Sequence, residues 1–155
     1  MIFAAWRLTK RKHVRMAFNG IGARIYGGRW NSPGTSVVYT AQSQSLAALE
    51  LLVHLDDPLL LVEKYSLIPV EVDTAFVLEV SRSGLPRNWQ AMPPSAELRS
   101  IGDDWVRDAA SAVLQVPSAI VPAESNFLLN PRHPDFTKLR IGKPISFQFD
   151  PRLAK

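Results

Sequence analysis

The side chains of this sequence best suited to chemistry are a few scattered polar groups: Arg29, Tyr39, Glu50, Ser118 and Asn126. Glu50 is the first acidic residue of the chain and lies in an otherwise apolar run. A carboxylate in apolar surroundings is costly to desolvate, so it must be protonated or must receive a cation or several hydrogen-bond donors. The rest of the chain is therefore expected to bring partners to Glu50.

Glu50 lies in a predicted helix over residues 43–55, in which Ser43, Ala47, Glu50 and His54 share one face. A carboxylate beside a ribose ring binds a sugar hydroxyl and stabilises positive charge that develops on the ring. The alternative is a structural role, in which Glu50 is half of a buried ion pair or accepts a hydrogen bond from His54.

Arg29 is the only charged residue within residues 25–49 and stands between a glycine pair and a tight turn. Its rigid fork of donors suits a diphosphate or a carboxylate, although an arginine at a loop tip is commonly a surface residue. Tyr39 lies in the strand that leads into the predicted helix, so its ring stacks on a planar ligand or belongs only to the core. Ser118 and Asn126, flanked by apolar residues, bind a ligand or satisfy backbone groups.

Composition indicates one soluble globular domain over residues 1–155, with 46% hydrophobic and 21% charged residues. The chain has no cysteine, and its three histidines show no metal-ligand spacing, so neither a disulfide framework nor a metal site is expected. The N-terminus lacks the pattern of a signal peptide, and the longest uncharged run is too polar to cross a membrane. We therefore expect a cytoplasmic protein without a membrane segment.

Positive charge is concentrated at the start of the chain, where the first 49 residues contain seven basic residues and no acidic ones. The cluster Lys10-Arg11-Lys12-His13-Val14-Arg15 suits phosphates of a nucleic acid or of a smaller ligand. The alternative is a solvated basic surface, which is common in small proteins.

The hydrophobic pattern predicts an α+β domain with a mixed, largely antiparallel sheet and a few helices. The basic cluster and the glycine-rich residues 20–28 are expected to be loop. Gly102 is expected to interrupt a short helix that begins near Ser95, and Asp103 to cap a second helix that contains Trp105 and Val113. Strands are expected at residues 3–8, 36–40, 64–72, 75–80, 116–121, 124–131 and 145–149. Pro69 suggests that the strand containing it is an edge strand or has a bulge.

Several short motifs follow one another along the chain: Gly28-Arg29-Trp30-Asn31-Ser32-Pro33-Gly34, Val38-Tyr39, Leu46-Ala47-Ala48-Leu49-Glu50 with His54, Val116-Pro117-Ser118-Ala119, and Asn126 with Asn130-Pro131-Arg132-His133-Pro134-Asp135-Phe136. In this order they resemble the RES-domain family, which is named for an arginine, a glutamate and a serine. The resemblance covers roughly residues 3–152. Ser118 best matches the family serine, and Ser125 and Ser43 are the alternatives.

The resemblance implies a toxin of a type II toxin–antitoxin module, paired with an Xre-like antitoxin. It further implies a fold similar to ADP-ribosyltransferases such as diphtheria toxin, and cleavage of NAD+ between nicotinamide and ribose. NAD+ would be the substrate rather than a cofactor, and the acceptor would be water, phosphate or a protein. Nucleic acid would be reached only through the antitoxin.

Residue roles follow from the same resemblance. Arg29, Tyr39, Glu50 and Ser118 would be the catalytic residues. The substrate would be bound by Arg29, Trp30, Asn31, Tyr39, His54, Ser118 and Asn126. An ADP-ribosyltransferase acting on a protein is the nearest alternative function. From another class, a nucleic-acid-binding or RNA-cleaving toxin would instead use the basic cluster at residues 10–15.

Overall fold

A computed structural model describes residues 1–154 of the chain. Its strands are β1 (Ile2–Lys10), β2 (Val38–Ala41), β3 (Tyr65–Asp73), β4 (Val77–Glu79), β5 (Val113–Pro117), β6 (Ser125–Leu129), β7 (Arg140–Ile141) and β8 (Ile145–Phe147). Its α-helices are α1 (Ile21–Tyr26), α2 (Gln44–Leu52) and α3 (Ala96–Arg107). Short 3-10 helices connect several of these elements, including Arg11–Met16 and Pro58–Val62.

The eight strands form one sheet in the order β4-β5-β6-β2-β1-β3-β7, and β8 also pairs with β3. Only the pairing of β4 with β5 is parallel. The α+β class with a mixed, largely antiparallel sheet is thus confirmed. Strands β1 and β3 pair along their full lengths, from Ile2 opposite Asp73 to Lys10 opposite Tyr65. This long pair lies between the shorter β2, β6, β5 and β4 on one side and the short β7 and β8 on the other.

Three groups of buried apolar side chains cover the sheet. One joins the strands through Ala5, Val70, Val113 and Leu129. A second packs beneath α2 and includes Leu8, Leu46, Tyr65 and Phe149. A third packs beneath α3 and includes Trp30, Leu98, Trp105 and Leu128. The two longer helices are therefore each anchored on a separate part of the core.

Helix α2 begins at Ser43, whose hydroxyl accepts a hydrogen bond from the backbone N–H of Leu46 at 3.1 Å. The helix follows β2 after only two residues, so the direction of the strand fixes the direction of the helix. Leu46 and Ala47 are its buried residues. The helix ends at Leu52, earlier than the residue 55 expected from the sequence, and His54 lies in the turn beyond it.

Helix α3 departs most from expectation, because it runs unbroken from Ala96 to Arg107 through Gly102. Gly102 is buried, and a Cβ at this position would overlap the backbone carbonyl oxygen of Trp30. The glycine therefore permits close packing of helix on backbone instead of ending the helix. Asp103 lies inside the helix rather than at its start, and Val113 belongs to β5.

Two further expectations are wrong. The segments expected to be loop contain the 3-10 helix Arg11–Met16 and helix α1. Pro69 lies in an interior strand, opposite Trp6 of β1 and between the parts of β3 that pair with β8 and with β7. The proline is tolerated there because neither of those two short strands pairs directly with it.

No helix within residues 1–154 is long and apolar enough to cross a membrane.

We predict that Gly102→Ala lowers the free energy of unfolding by about 1–3 kcal/mol or more, because the added methyl forces α3 away from Trp30. Gly22→Ala in α1 is the matched control, since a Cβ there meets nothing within 4 Å and alanine favours the helix. Urea unfolding followed by circular dichroism measures both. Equal midpoints for Gly102→Ala and the wild type would contradict the packing argument.

Candidate active site

The carboxylate of Glu50 is held by two neutral side chains from the sheet. Its Oε1 accepts a hydrogen bond from Ser118 Oγ at 2.8 Å and another from Asn126 Nδ2 at 2.7 Å. No hydrogen bond to Oε2 forms within residues 1–154. Oε2 is also not one of the buried side-chain atoms that lack a hydrogen-bond partner in this part of the chain, so it is accessible. One oxygen is therefore fixed by the protein and the other is free to accept a hydrogen bond from a ligand.

Ser118 is fully buried, directly after the end of β5. Its Oγ donates to Glu50 and accepts the backbone N–H groups of Ile120 and Val121, both at 3.1 Å. The hydroxyl proton and both lone pairs are thus engaged. Ser118 is therefore built to position Glu50 and is not free to attack a substrate.

Asn126 is in β6, opposite Ala41 of β2 and Val116 of β5. Its side chain is 8% exposed, and its Nδ2 donates to Glu50. Its Oδ1 is buried without a hydrogen-bond partner among residues 1–154. Since buried acceptors are normally paired, this oxygen is an unsatisfied group directly beside Glu50.

Arg29 lies near Glu50 but is anchored elsewhere. Its NH1 donates to the carbonyl oxygens of Trp89 and Ala91 at 3.0 and 2.9 Å, and its NH2 donates to Met92 Sδ at 2.8 Å. The segment 89–92 thus passes over the guanidinium, and Gln90 Nε2 reaches the carbonyl of Ala119, next to Ser118, at 3.1 Å. This segment connects the Arg29 turn with the Ser118 turn.

The turn that carries Arg29 is fixed by Tyr39 and Asn31. The Tyr39 hydroxyl donates to Asn31 Oδ1 at 2.6 Å and accepts the backbone N–H of Trp30 at 3.1 Å. Asn31 Nδ2 donates to the carbonyls of Ala23, Ser32 and Thr35. A Cβ at Gly28 would lie 2.6 Å from the Tyr39 hydroxyl, so only glycine fits before Arg29.

Burial and nearby charges perturb two groups of the site. Burial lowers the pKa of Arg29 below its ordinary value, whereas the carboxylate of Glu50 and then Tyr39 act to raise it. Burial raises the pKa of Tyr39 well above its ordinary value, although the Trp30 N–H and the charges of Arg29 and Arg99 oppose this. The tyrosine is therefore a neutral hydrogen-bonded group, and Arg29 interacts with Glu50 through space rather than by direct contact.

The structure brings Glu50, Ser118 and Asn126 into direct contact, and Arg29 interacts electrostatically with Glu50 and with Tyr39. It assigns structural positions to Trp30 and Asn31, which are 2% and 0% exposed, so their expected direct role in binding substrate is corrected. Trp30 packs in the core under α3, and Asn31 holds the turn.

The remaining candidates lie apart from the Glu50 contacts. His54 is exposed beyond the end of α2, because the helix stops before it. Of the two alternative serines, Ser43 caps α2 and Ser125 accepts from Gln115 Nε2 at 3.1 Å. Ser118 is the one of the three that contacts Glu50.

The sequence interpretation missed three parts of the site. Asp103 accepts the backbone N–H of Ser32 at 2.9 Å and so joins α3 to the Arg29 turn. Arg99 lies one helical turn before it, and residues 89–92 cover Arg29. Asp103 and Arg99 were missed because a helix break was expected at Gly102. A continuous helix places both residues on one face. Residues 89–92 act mainly through backbone carbonyls, for which the sequence carries no signal.

Comparisons with known proteins identify the family of the chain. The sequence model of the family described as the RES domain matches residues 4–150. A protein named Toxin Res from Yersinia enterocolitica is 42% identical over 149 residues, which cover 96% of this chain and 97% of that protein. The Prs ADP-ribosylating toxin of a Sphingobium species is 38% identical over 160 aligned residues, with coverage of 100% and 99%.

Among solved structures, the crystal structure of the M. tuberculosis MbcT–MbcA toxin–antitoxin complex contains a chain of similar fold. The TM-score is 0.78, and the match covers 99% of this chain and 87% of that chain at 20% sequence identity. At this identity the likeness establishes the fold.

We predict that Tyr39→Phe lowers the free energy of unfolding by about 1–3 kcal/mol, because Asn31 Oδ1 and the Trp30 N–H both lose their partner. Tyr26→Phe is the control, since Tyr26 is 84% exposed. Thermal unfolding of the two variants and the wild type measures the difference. If Tyr39→Phe proved as stable as Tyr26→Phe, the turn would not depend on this hydroxyl.

Proposed function

The chain belongs to the RES domain family, and from this premise we propose that it is a toxin that cleaves NAD+ between nicotinamide and ribose. Water or phosphate is the proposed acceptor. The observation that carries the proposal is the Glu50 carboxylate, with Oε1 held by two neutral donors and Oε2 free, beside Arg29. The likeness of this chain to ADP-ribosylating and RES toxins supports it.

In the proposed reaction the bond between the ribose C1′ and the nicotinamide nitrogen breaks. The electron pair leaves with nicotinamide, which is neutral once released, and positive charge develops on the ribose. Glu50 stabilises this charge because its carboxylate lies in a partly buried site, where electrostatic interactions are stronger than in water. The carbon then bonds to an oxygen of water, which loses a proton, or to an oxygen of phosphate.

Two further groups of the site suit the substrate. Oε2 of Glu50 is an acceptor without a protein partner, and a ribose offers a hydroxyl donor to match it. The contacts of Arg29 to residues 89–92 use both N–H groups of NH1 and one of NH2. The Nε–H and the second N–H of NH2 remain to donate to phosphate oxygens. Ser118 contributes by fixing the Glu50 rotamer.

A second candidate is transfer of ADP-ribose to a protein, which the name of the Sphingobium relative favours. The site chemistry is the same, and only the acceptor differs. Radiolabelled NAD+ distinguishes the two, because label remains on a protein in the second case and stays in small products in the first.

We also propose that an Xre-like antitoxin binds the chain and restrains its activity. The support is the toxin–antitoxin complex in which the similar fold of MbcT is found. Any contact with nucleic acid is then made by the antitoxin.

We predict that Glu50→Gln lowers kcat for nicotinamide release by roughly 10²–10³-fold, because the amide keeps the shape but removes the negative charge. Release is measured with the purified protein and NAD+, with and without inorganic phosphate, and mass spectrometry identifies the ribosyl product. Glu71→Gln, an exposed change in β3, is the control and should match the wild type. No release by the wild type under either condition would overturn the proposal. Salt-dependent nucleic-acid binding that is indifferent to Glu50 would favour the alternative that uses the basic cluster.

A further inference from the structure

Two buried side-chain polar atoms lack a hydrogen-bond partner within residues 1–154: Asn126 Oδ1 and Arg99 Nε. Buried donors and acceptors are normally paired, so each such atom calls for an explanation. Asn126 is already accounted for by its place beside Glu50. Arg99 is not used by the chemistry described above.

Three observations place Arg99 beside the Arg29 turn. Arg99 projects from the same face of α3 as Asp103, which lies one helical turn later. Asp103 accepts the backbone N–H of Ser32 at 2.9 Å. Gly102, between them in register, packs directly on the Trp30 carbonyl. The charge of Arg99, like that of Arg29, lowers the pKa of Tyr39. Both guanidinium groups therefore act electrostatically on the same tyrosine, as does the carboxylate of Asp103.

The surroundings of Arg99 contain no carboxylate that pairs with it. Asp103 is engaged by Ser32, and Asp104 forms an ion pair with Arg107 at 3.0 Å. Within residues 1–154, none of the ion pairs includes Arg99. Asp103 keeps its negative charge one helical turn away but makes no ion pair with Arg99. A half-buried guanidinium without a direct ion pair is costly, because its charge is partly desolvated and its Nε–H is unsatisfied.

We propose that Arg99 is a phosphate-binding residue of the site, which with Arg29 forms a two-arginine clamp at the Arg29 turn. A guanidinium is suited to this because its fork of donors binds two phosphate oxygens at once. The proposal rests on the proposed function for its choice of ligand. The phosphate belongs either to the diphosphate of the dinucleotide or to free inorganic phosphate that acts as the acceptor.

The test is calorimetric titration of the full-length protein with ADP, with inorganic phosphate and with adenosine, which lacks a phosphate. Arg99→Gln should weaken ADP or phosphate binding by roughly 10- to 100-fold and leave adenosine binding unchanged. Arg99→Lys keeps the charge but loses the fork, so it should bind with intermediate affinity. Arg107→Gln is the matched control, because it makes the same change in the same helix at an exposed arginine.

The two sources of phosphate separate in this experiment. A loss confined to ADP assigns Arg99 to the diphosphate, and a loss confined to inorganic phosphate assigns it to the acceptor. Equal affinities of Arg99→Gln and Arg107→Gln for both ligands would overturn the proposal. Should Arg99→Gln fail to fold, wild-type affinity of Arg99→Lys for both ligands would overturn it equally.

The outcome is also separable from that of the proposed function. If the wild type releases no nicotinamide but its ADP affinity depends on Arg99, the phosphate site stands and the reaction is wrong. If Arg99→Gln releases nicotinamide and its KM values for NAD+ and for phosphate equal those of the wild type, the reaction stands and the clamp is wrong.

Discussion

In the proposed reaction the carboxylate of Glu50 has to be partly desolvated and yet remain charged, and the contacts of Glu50 serve that requirement. An arginine in direct contact would keep it ionised but would also neutralise it towards a ligand. The chain instead supplies two neutral donors to Oε1, from Ser118 and Asn126. Hydrogen bonds to a carboxylate favour its charged form without cancelling the charge. Arg29 acts on it only from a distance.

The register of the sheet makes this arrangement possible. Asn126 of β6 faces Val116 of β5 on one side and Ala41 of β2 on the other, and α2 begins three residues after Ala41. Ser118 follows the end of β5. A shift of one residue in the β2–β6 pairing would turn the Asn126 side chain to the opposite face of the sheet. The carboxylate and its two donors are thus aligned by backbone pairing rather than by side-chain preferences.

Local sequence signals predicted the parts of the site that depend on local structure. The β-branched run around Tyr39, the helix around Glu50 and the apolar surroundings of Ser118 and Asn126 were all visible as patterns. The behaviour of Gly102 was not visible, because its intrinsic helix propensity is poor and only the approach of Trp30 explains it. The sequence pattern also predicts that Asp103 caps a helix, because aspartate is a good N-cap residue. Its actual hydrogen-bond partner is the backbone N–H of Ser32 in the Arg29 turn, which only the long-range contact reveals.

The same long-range contacts explain why the charged groups of the site are not ion-paired with one another. Arg29 is held by the neutral carbonyls of Trp89 and Ala91, and Arg99 by packing of its helix on Trp30, so neither consumes a carboxylate. The one nearby acid in α3, Asp103, is engaged by a backbone N–H. Two arginines, Arg29 and Arg99, and two carboxylates, Glu50 and Asp103, therefore lie around the Arg29 turn and Tyr39. None of these four groups forms an ion pair within residues 1–154. In the proposed reaction the two arginines are therefore available to an anionic ligand, and the Glu50 carboxylate acts on the part of that ligand where positive charge develops.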